Sequence, residues 1–493
     1  MKTDEYKPSI KKNVIFSFVA QVIGYISPLV VSPYISRVLG PSNLGIFSFC
    51  YSYAHYFVLF AAFGFADLGS KLISSRRADL SNRNKCFWNI VFSRLFFVFV
   101  SSTVYIALIE LSAFGKIDDS RVMLVFLLLI LSTAFDITFF FRGIEKIMYI
   151  FSTTAVVNLI YVASVFIFVK SSDDLLLFTF LKTLSLCLVY FSLWFFSFKR
   201  IGRPYFSFKE IMSTSIEATK FFLPTVVMGV ADSLDKTLIG LFSNTVQVGF
   251  YEQTFKVATL LSSTVSAISP VILSRISLLK SEGSTEDIKN LASKSMILAI
   301  VLLAPLVSGL YIIGTDFVPL FFGADFSDAV SVLFWLLPVA FISALTSILI
   351  SSFYYPFGKT RIVSSVIFAS IILNVSVSVA LLKLTTLGAS AAAIGTIVAN
   401  AFAFCFLLFF ARSIIDFKII LKDALKVIGS LFVMCVPLIL LNYFVFRTLI
   451  TNALLKICLD ILLGGLLYFF ASILFKEKFA IEYVNRFIKR RRV

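Results

Sequence analysis

The chain has 493 residues, of which 59% are hydrophobic, 16% aromatic and only 14% charged, with a mean hydropathy of +0.97. A water-soluble protein of this size carries about 25% charged residues, so a soluble enzyme is excluded, and a disordered chain more firmly. The formal charge of +17 would suggest nucleic acid in a soluble chain; beside long apolar runs it is better explained by helix ends that stop in the cytoplasm.

A basic lead, residues 1–12 with Lys7, Lys11 and Lys12, precedes the apolar stretch Val14–Tyr34. That stretch is longer than a signal-peptide core and shows no small-x-small cleavage pattern, so it is expected to be the first membrane helix. A crossing needs roughly 20 apolar residues. Fourteen segments qualify: 13–36, 43–66, 86–109, 122–141, 149–169, 175–198, 213–242, 249–272, 295–314, 329–353, 362–382, 386–411, 424–442 and 453–475. Twelve is the alternative, if one hairpin is lost.

Charge distribution checks the count independently. With the N-terminus inside, 31 of the 44 Lys and Arg fall in cytoplasmic segments and six outside, namely Arg37, Lys116, Arg121, Lys170, Lys383 and Arg447. One span too many in the middle would exchange the sides of every later loop, so this bias supports an even count and cytoplasmic termini. The segments between spans are too short for a nucleotide-binding domain, and no GxxxxGK[ST] sequence is present, so ATP is not expected to drive the chain directly.

The six Cys form no CxxC pair and His55 is the only histidine. Neither a disulfide frame nor a zinc site is indicated, and a relay of several histidines is unavailable. No catalytic constellation, metal site or cofactor is therefore expected.

Two pairs of segments resemble each other at similar offsets. Gly45-Ile46-Phe47 and Gly249-Phe250-Tyr251 each follow a short polar turn; Phe141–Asn158 and Phe357–Asn374 each run from a glycine with basic neighbours to a single Asn within a span. The spacing predicts two homologous six-span blocks, 13–198 and 213–411, entered from the same side and therefore parallel. A cytoplasmic linker, 199–212, joins them. Two appended helices occupy 412–475, and a basic cytoplasmic tail, 476–493, is suited to anionic lipid. The expected fold class is all-α: a polytopic membrane protein with two parallel six-helix bundles around a central cavity and two C-terminal helices.

Charges within hydrocarbon are expensive and usually face a cavity or a partner. The spans contain Arg94, Lys182, Lys220, Lys236, Lys256, Lys426 and Lys456, with Asp136, Glu217, Asp232, Asp235, Glu252 and Asp460. Seven of them crowd between Glu217 and Lys256. Helical spacing predicts pairs Glu217–Lys220, Asp232–Lys236 and Glu252–Lys256; Arg94 and Asp136 share a depth and suit an interhelical pair. Pro224 is expected to open its helix. The vicinity of Asp232 and Asp235 raises proton affinity, so Asp136, Glu217, Pro224, Asp232, Asp235, Lys236, Glu252, Asn158 and Asn374 are coupling or gating candidates. Arg37, Arg94, Lys182, Lys220 and Lys256 are candidate contacts for an anionic, phosphate-like headgroup. Tyr51, in a patch with Tyr53, His55 and Tyr56, could stack on a sugar ring.

The stretches PYISRVLGPSNLGIFSFCYSYAHYFVLFAAFGF (33–65), DSLDKTLIGLFSNTVQVGFYEQTFKV (232–257) and YYPFGKTRIVSSVIFASIILNVSVSVALLKLTTLGASAAAIGTIVAN (354–400) resemble the Wzx-like polysaccharide flippase branch of the multidrug/oligosaccharidyl-lipid/polysaccharide exporter superfamily. The resemblance covers about residues 10–475. Arg37 with Gly40-Pro41, Asp235-Lys236, Gly249 with Tyr251, and Asn374 with Gly388 and Gly395 stand at family-like positions. It implies a V-shaped pair of bundles that alternate between inward- and outward-open forms. The implied cargo is a polyprenyl-diphosphate-linked oligosaccharide repeat unit, carried to the outer leaflet for surface or capsular polysaccharide. The resemblance leaves open whether H+, Na+ or the membrane potential drives the cycle, with H+ or Na+ as the candidate coupling ions. The implied setting is the bacterial cytoplasmic membrane, with membrane lipid, a polysaccharide polymerase and assembly proteins as partners and no nucleic acid. The two extra spans also occur in peptidoglycan-precursor flippases, one alternative. A multidrug or cation exporter is another, although it would favour a more acidic interior. A membrane polysaccharide polymerase or ligase, the enzymatic alternative, would need a large outer loop that this chain lacks.

Overall fold

The computed structural model describes residues 10–111, 120–198, 200–412, 415–446 and 452–475. The basic tail 476–493, most of the lead, and Lys116 and Arg447 lie outside these residues. Among the described residues there is no strand, and sixteen α-helices account for nearly the whole chain.

The long helices follow the apolar runs. Helix α1 (Ile10–Ala62) contains a break at Gly40, whose φ of 74° only glycine adopts without strain. It is followed by α2 (Phe65–Ser75), α3 (Leu80–Glu110), α4 (Ser120–Ser132), α5 (Thr138–Gly143), α6 (Met148–Phe168), α7 (Leu175–Ser197) and α8 (Phe208–Phe242). Then come α9 (Thr245–Ser266), α10 (Ser269–Ser281), α11 (Thr285–Phe322), α12 (Ala329–Leu349), α13 (Thr360–Leu384), α14 (Ala389–Ala411), α15 (Phe417–Leu441) and finally α16 (Ala453–Leu474). Starts are set by polar residues placed just ahead of apolar runs, which accept otherwise orphaned amide protons. Asp79 accepts from Asn82 N before α3, Asp416 from Lys418 and Ile419 N before α15, and Asn452 from Leu454 and Leu455 N before α16.

Twelve helical runs are long and apolar enough to cross a membrane. One of these, Leu29–Ser75, contains the Gly40 break and therefore two crossings. Helix α8 is not among the twelve, being interrupted by Glu217, Lys220, Asp232, Asp235 and Lys236. With both taken into account, each of the fourteen expected spans has its helix. Two of them depart from a simple rod. The span expected at 122–141 is divided into α4, a 3-10 turn at Thr133–Phe135, and α5. The span that begins at 43 ends at Ala62, and the chain resumes as α2 after Phe63 and Gly64. Conversely, α8 runs on as helix through position 224, where an opening was expected; the Pro224 side chain lies outside the described residues.

The chain divides into two compact units, Met1–Gly249 and Phe250–Val493. In the first, α8 lies against α1: a Cβ on Gly229 would collide with Leu59, one on Gly240 with the Phe49 ring, and one on Gly64 with the backbone at Phe221. Small residues that admit close helix contacts substitute for the weak hydrophobic drive inside lipid. One apolar core joins α2, α3 and α5 through Phe65, Phe87, Phe139, Phe140 and Phe141; another joins α1, α3 and α4 through Ala54, Tyr105, Phe126 and Ile130. In the second unit, α10, α11 and α12 bury Ile276, Met296, Leu303 and Ile348, while α12–α14 bury Tyr354, Val363 and Leu407. Helix α16 is tied to α11 by the Lys456–Asp316 ion pair at 2.7 Å and by Tyr468 donating to Val301 O, and to the end of α15 by Asn442 donating to Asp460 at 2.7 Å.

The linker between α7 and α8 is moored to α3. Asn84 accepts from Gly202 N at 2.8 Å and donates to Arg203 O at 2.9 Å; Trp88 donates to Gly202 O. Glu210 closes the mooring by accepting from Asn89 at 2.8 Å and Tyr205 at 3.0 Å. These hydrogen bonds hold its carboxyl below the usual carboxylate range. A depressed value means that the stabilisation is present above the unfolded value of about 4.3 and is lost as pH falls through the lower folded one. Hydrogen exchange of the linker amides is thus expected to stay constant from pH 7 to 5, after correction for intrinsic rates, and to accelerate only below that; Glu210→Gln is expected to flatten the profile.

Candidate functional site

The crowd of ionisable residues on α8 meets the aromatic patch of α1. On α1, Tyr51, His55 and Tyr56 lie within one helical turn and a half, so their side chains reach one side. On α8, Ser233 and Thr237 are i,i+4 neighbours. His55 Nδ1 and Ser233 Oγ are 2.9 Å apart, and Tyr56 Oη and Thr237 Oγ1 2.8 Å. The Tyr51 and His55 rings stack at 5.6 Å, and the Lys236 ammonium stands 5.6 Å from the centre of the Tyr51 ring. Cation–π attraction of this kind strengthens as water is removed, and both Lys236 (8% exposed) and Asp235 (6%) are buried. The seam therefore presents, within a membrane span, an ammonium and a carboxylate, an imidazole and several hydroxyls. That set can donate to phosphate oxygens and exchange hydrogen bonds with sugar hydroxyls. Asp232, one turn earlier, is exposed.

A second polar cluster lies on α3 and α5. Arg94 is 1% exposed and pairs with Asp136 Oδ2 at 3.3 Å, also donating to the Asp136 carbonyl. Its guanidinium lies over the Phe139 ring. The pair anticipated from shared depth is present, but Arg94 is enclosed by protein. Glu217 departs from expectation more plainly: it meets Lys71 of α2, at 3.9 Å, in place of Lys220. Helix spacing alone could not reveal this, because the partner arrives from another element. Lys220 is exposed. Lys182 lies over the Tyr161 ring at 4.9 Å, half-buried, and Arg37 is exposed beside the Gly40 break. Asn158 is half-buried in α6.

In the second unit, Glu252 and Lys256 form the predicted i,i+4 pair at 3.2 Å. Tyr251, buried, meets Thr396 of α14 with hydroxyls 3.3 Å apart. Asn374, buried in α13, accepts from Ser378 at 2.7 Å, and Gly395 leaves the room for that bond. Ser233, Thr237 and Thr396 were missed in the sequence because hydroxyl residues occur throughout the spans; only the matched i,i+4 spacing on facing helices could have singled out the first two. Among the described residues, no three His, Cys, Asp or Glu side chains are grouped to hold a metal ion.

Broken membrane helices and ion pairs within the spans are features that many secondary transporters share. Residues 10–279 match the family described as polysaccharide biosynthesis protein, and the chain belongs to that family, within the polysaccharide flippase branch of the multidrug/oligosaccharidyl-lipid/polysaccharide exporter superfamily. It is 22% identical to a putative O-antigen transporter of Escherichia coli K12 over 69% of this chain and 82% of that protein. Among solved structures, the fold resembles a lipid II flippase, MurJ, in an inward closed conformation, with TM-score 0.70 and 17% identity over 94% of this chain and 98% of the other. It also resembles an inward-facing multidrug resistance MATE transporter of the MOP superfamily, with TM-score 0.63 and 14% identity over 79% and 94%. The chain is a multi-pass helical membrane protein, and the relatives it resembles are transporters and a flippase by name.

Proposed function

We propose that the chain carries polyprenyl-diphosphate-linked oligosaccharide repeat units from the cytoplasmic to the outer leaflet by alternating access, supplying surface or capsular polysaccharide assembly. The observation that carries this reading is the α1–α8 seam, where Lys236 is held over Tyr51 beside His55 and the hydroxyls of Tyr56, Ser233 and Thr237. A buried ammonium with hydroxyl neighbours attracts a diphosphate and repels a cationic drug. The putative O-antigen transporter among the relatives supports the same cargo class. In this reading Arg37, Lys182, Lys220 and Lys256 are further stations for the diphosphate, and Arg94 orders the helices around them. Asp232, Asp235, Glu252 and Asn374 serve coupling to H+ or Na+. Asp136, Glu217, Asn158 and Pro224 take part in gating. Both termini are cytoplasmic, and blocks 13–198 and 213–411 are the repeated halves. A polysaccharide polymerase and other assembly proteins receive the product.

Reconstituted protein is expected to move a defined lipid-linked oligosaccharide across liposomes without altering its glycan length. Glycan extension or transfer to another acceptor would contradict the proposal. In the same assay the double variant Lys182→Ala/Lys220→Ala is expected to translocate several-fold more slowly at unchanged protein content; a wild-type rate would remove those two residues from the path.

A further inference from the structure

Two spans of the first unit are broken, and both breaks meet α3 within one of its turns. The first break is at Phe63 and Gly64, with φ of 42° and 74°. For a bulky non-glycine residue this left-handed conformation is strained and persists only where the surroundings enforce it. Here Phe63 is clamped between Phe97 of α3, with ring centres 4.0 Å apart at 23°, and Phe222 of α8, at 4.4 Å and 25°. The second break lies between α4 and α5. Asp136 accepts from Thr138 N, the first amide of α5, at 2.9 Å, while Arg94 of α3 holds both its carboxylate and its carbonyl. Arg94 and Phe97 are i,i+3 neighbours and so share a face of α3. The Nε and the second terminal nitrogen of Arg94 are buried and have no hydrogen-bond partner among the described residues. Buried donors are seldom left so.

Beyond the breaks, the two short helices α2 and α5 fit together closely. A Cβ on Gly69 would strike the Phe139 ring, and one on Gly143 would strike Ile73. Just past their ends, Arg77 and Glu145 form an ion pair at 2.8 Å. Aromatic rings line the contact of this pair of helices with the start of α3, Phe87 lying 5.7 Å from Phe139 and 5.4 Å from Phe140.

We propose that α2 and α5 move as one block during transport, pivoting at the two aligned breaks, and that Arg94, Phe63 and Asp136 are the positioning residues of this pivot. Strain at Phe63 and two spare donors on Arg94 give the layer a capacity to rearrange that an unbroken, fully satisfied bundle lacks. The pivot rests on the chain being a transporter and does not depend on the identity of its cargo.

Hydrogen exchange of the full chain in lipid nanodiscs, with no ligand, tests this directly, because amides that open together exchange together. Arg94→Ala is expected to raise exchange in both Phe65–Ser75 and Thr138–Gly143 by about tenfold, the loss of a charged buried hydrogen bond, while α4 and α7 keep wild-type rates. Arg94→Lys should recover part of the protection. Asp136→Asn, nearly isosteric, should reproduce the paired effect if Arg94→Ala fails to fold. Acceleration confined to Thr138–Gly143 would reduce Arg94 to a brace for the α4–α5 break alone and overturn the proposal. Acceleration spread evenly over the first unit, or none in either variant, would overturn it equally.

Discussion

Lys236→Met is expected to slow translocation of a diphosphate-linked lipid about 10–100-fold, the equivalent of losing one charged hydrogen bond of about 1.5–3 kcal/mol. The methionine side chain is similar in length but uncharged, so packing against Tyr51 is largely kept and membrane insertion should be unchanged. Lys236→Arg retains the charge and the stacking on the ring, and is expected to keep most of the rate. A leaflet-selective assay with reconstituted protein measures both. If Lys236→Met and Lys236→Arg both moved cargo at the wild-type rate, the α1–α8 seam would have no part in binding the headgroup.

Gly45→Ala and Gly249→Ala should show the largest effects on stability. These glycines, each of which follows a short polar turn in the sequence, come together in the fold. A Cβ on Gly45 would fall onto the Thr245 carbonyl, and one on Gly249 onto the Pro41 carbonyl, with the other glycine's nitrogen 3.2–3.3 Å away. At Gly229 the obstacle is a leucine side chain, which can change rotamer; at Gly45 it is backbone, which cannot. Overpacking costs about 1–3 kcal/mol even where neighbours can adjust, so each substitution is expected to lower the melting temperature in detergent by several degrees and to prevent the turn at Thr245–Gly249 from docking on Pro41–Gly45. Gly283→Ala serves as a comparison: unlike Gly45 and Gly249, which are helical, Gly283 occupies a left-handed turn, φ 76°, with open space around it, and should show only the backbone penalty. Melting of Gly45→Ala at the wild-type temperature would contradict the close contact.

The spans themselves were legible because lipid demands long apolar helices with internal hydrogen bonding, and because the positive-inside bias fixes their parity. The Arg94–Asp136 pair was legible too, since two lone opposite charges at one depth have few other solutions. What the sequence concealed is where a helix stops inside an apolar run. Around Phe63-Gly64 the residues Val58–Phe65 are apolar throughout, and nothing local distinguishes a break from a continuing helix; the clamp on Phe63 comes from Phe97 and Phe222, far along the chain. At Asp136 there was a signal, an Asp two residues before Thr138 that can cap a new helix, but the same residue was more readily seen as half of an ion pair. Glu217 was assigned to Lys220 because spacing on one helix is visible and the approach of Lys71 from α2 is not. Pro224 misled in the other direction, since a proline does not always interrupt a helix whose neighbours satisfy the freed carbonyl.

A lysine- and hydroxyl-lined interior that carries the charged head of a lipid must distinguish headgroups by charge. This discrimination is tested most directly by comparing, in the same proteoliposomes, one oligosaccharide linked to a polyprenol through a diphosphate, through a monophosphate, or through a neutral ether. Fast wild-type translocation of the diphosphate is expected, with slower movement of the monophosphate and none above background for the neutral lipid, and with the diphosphate advantage lost in Lys236→Met. Equal rates for all three lipids in the wild type would contradict it.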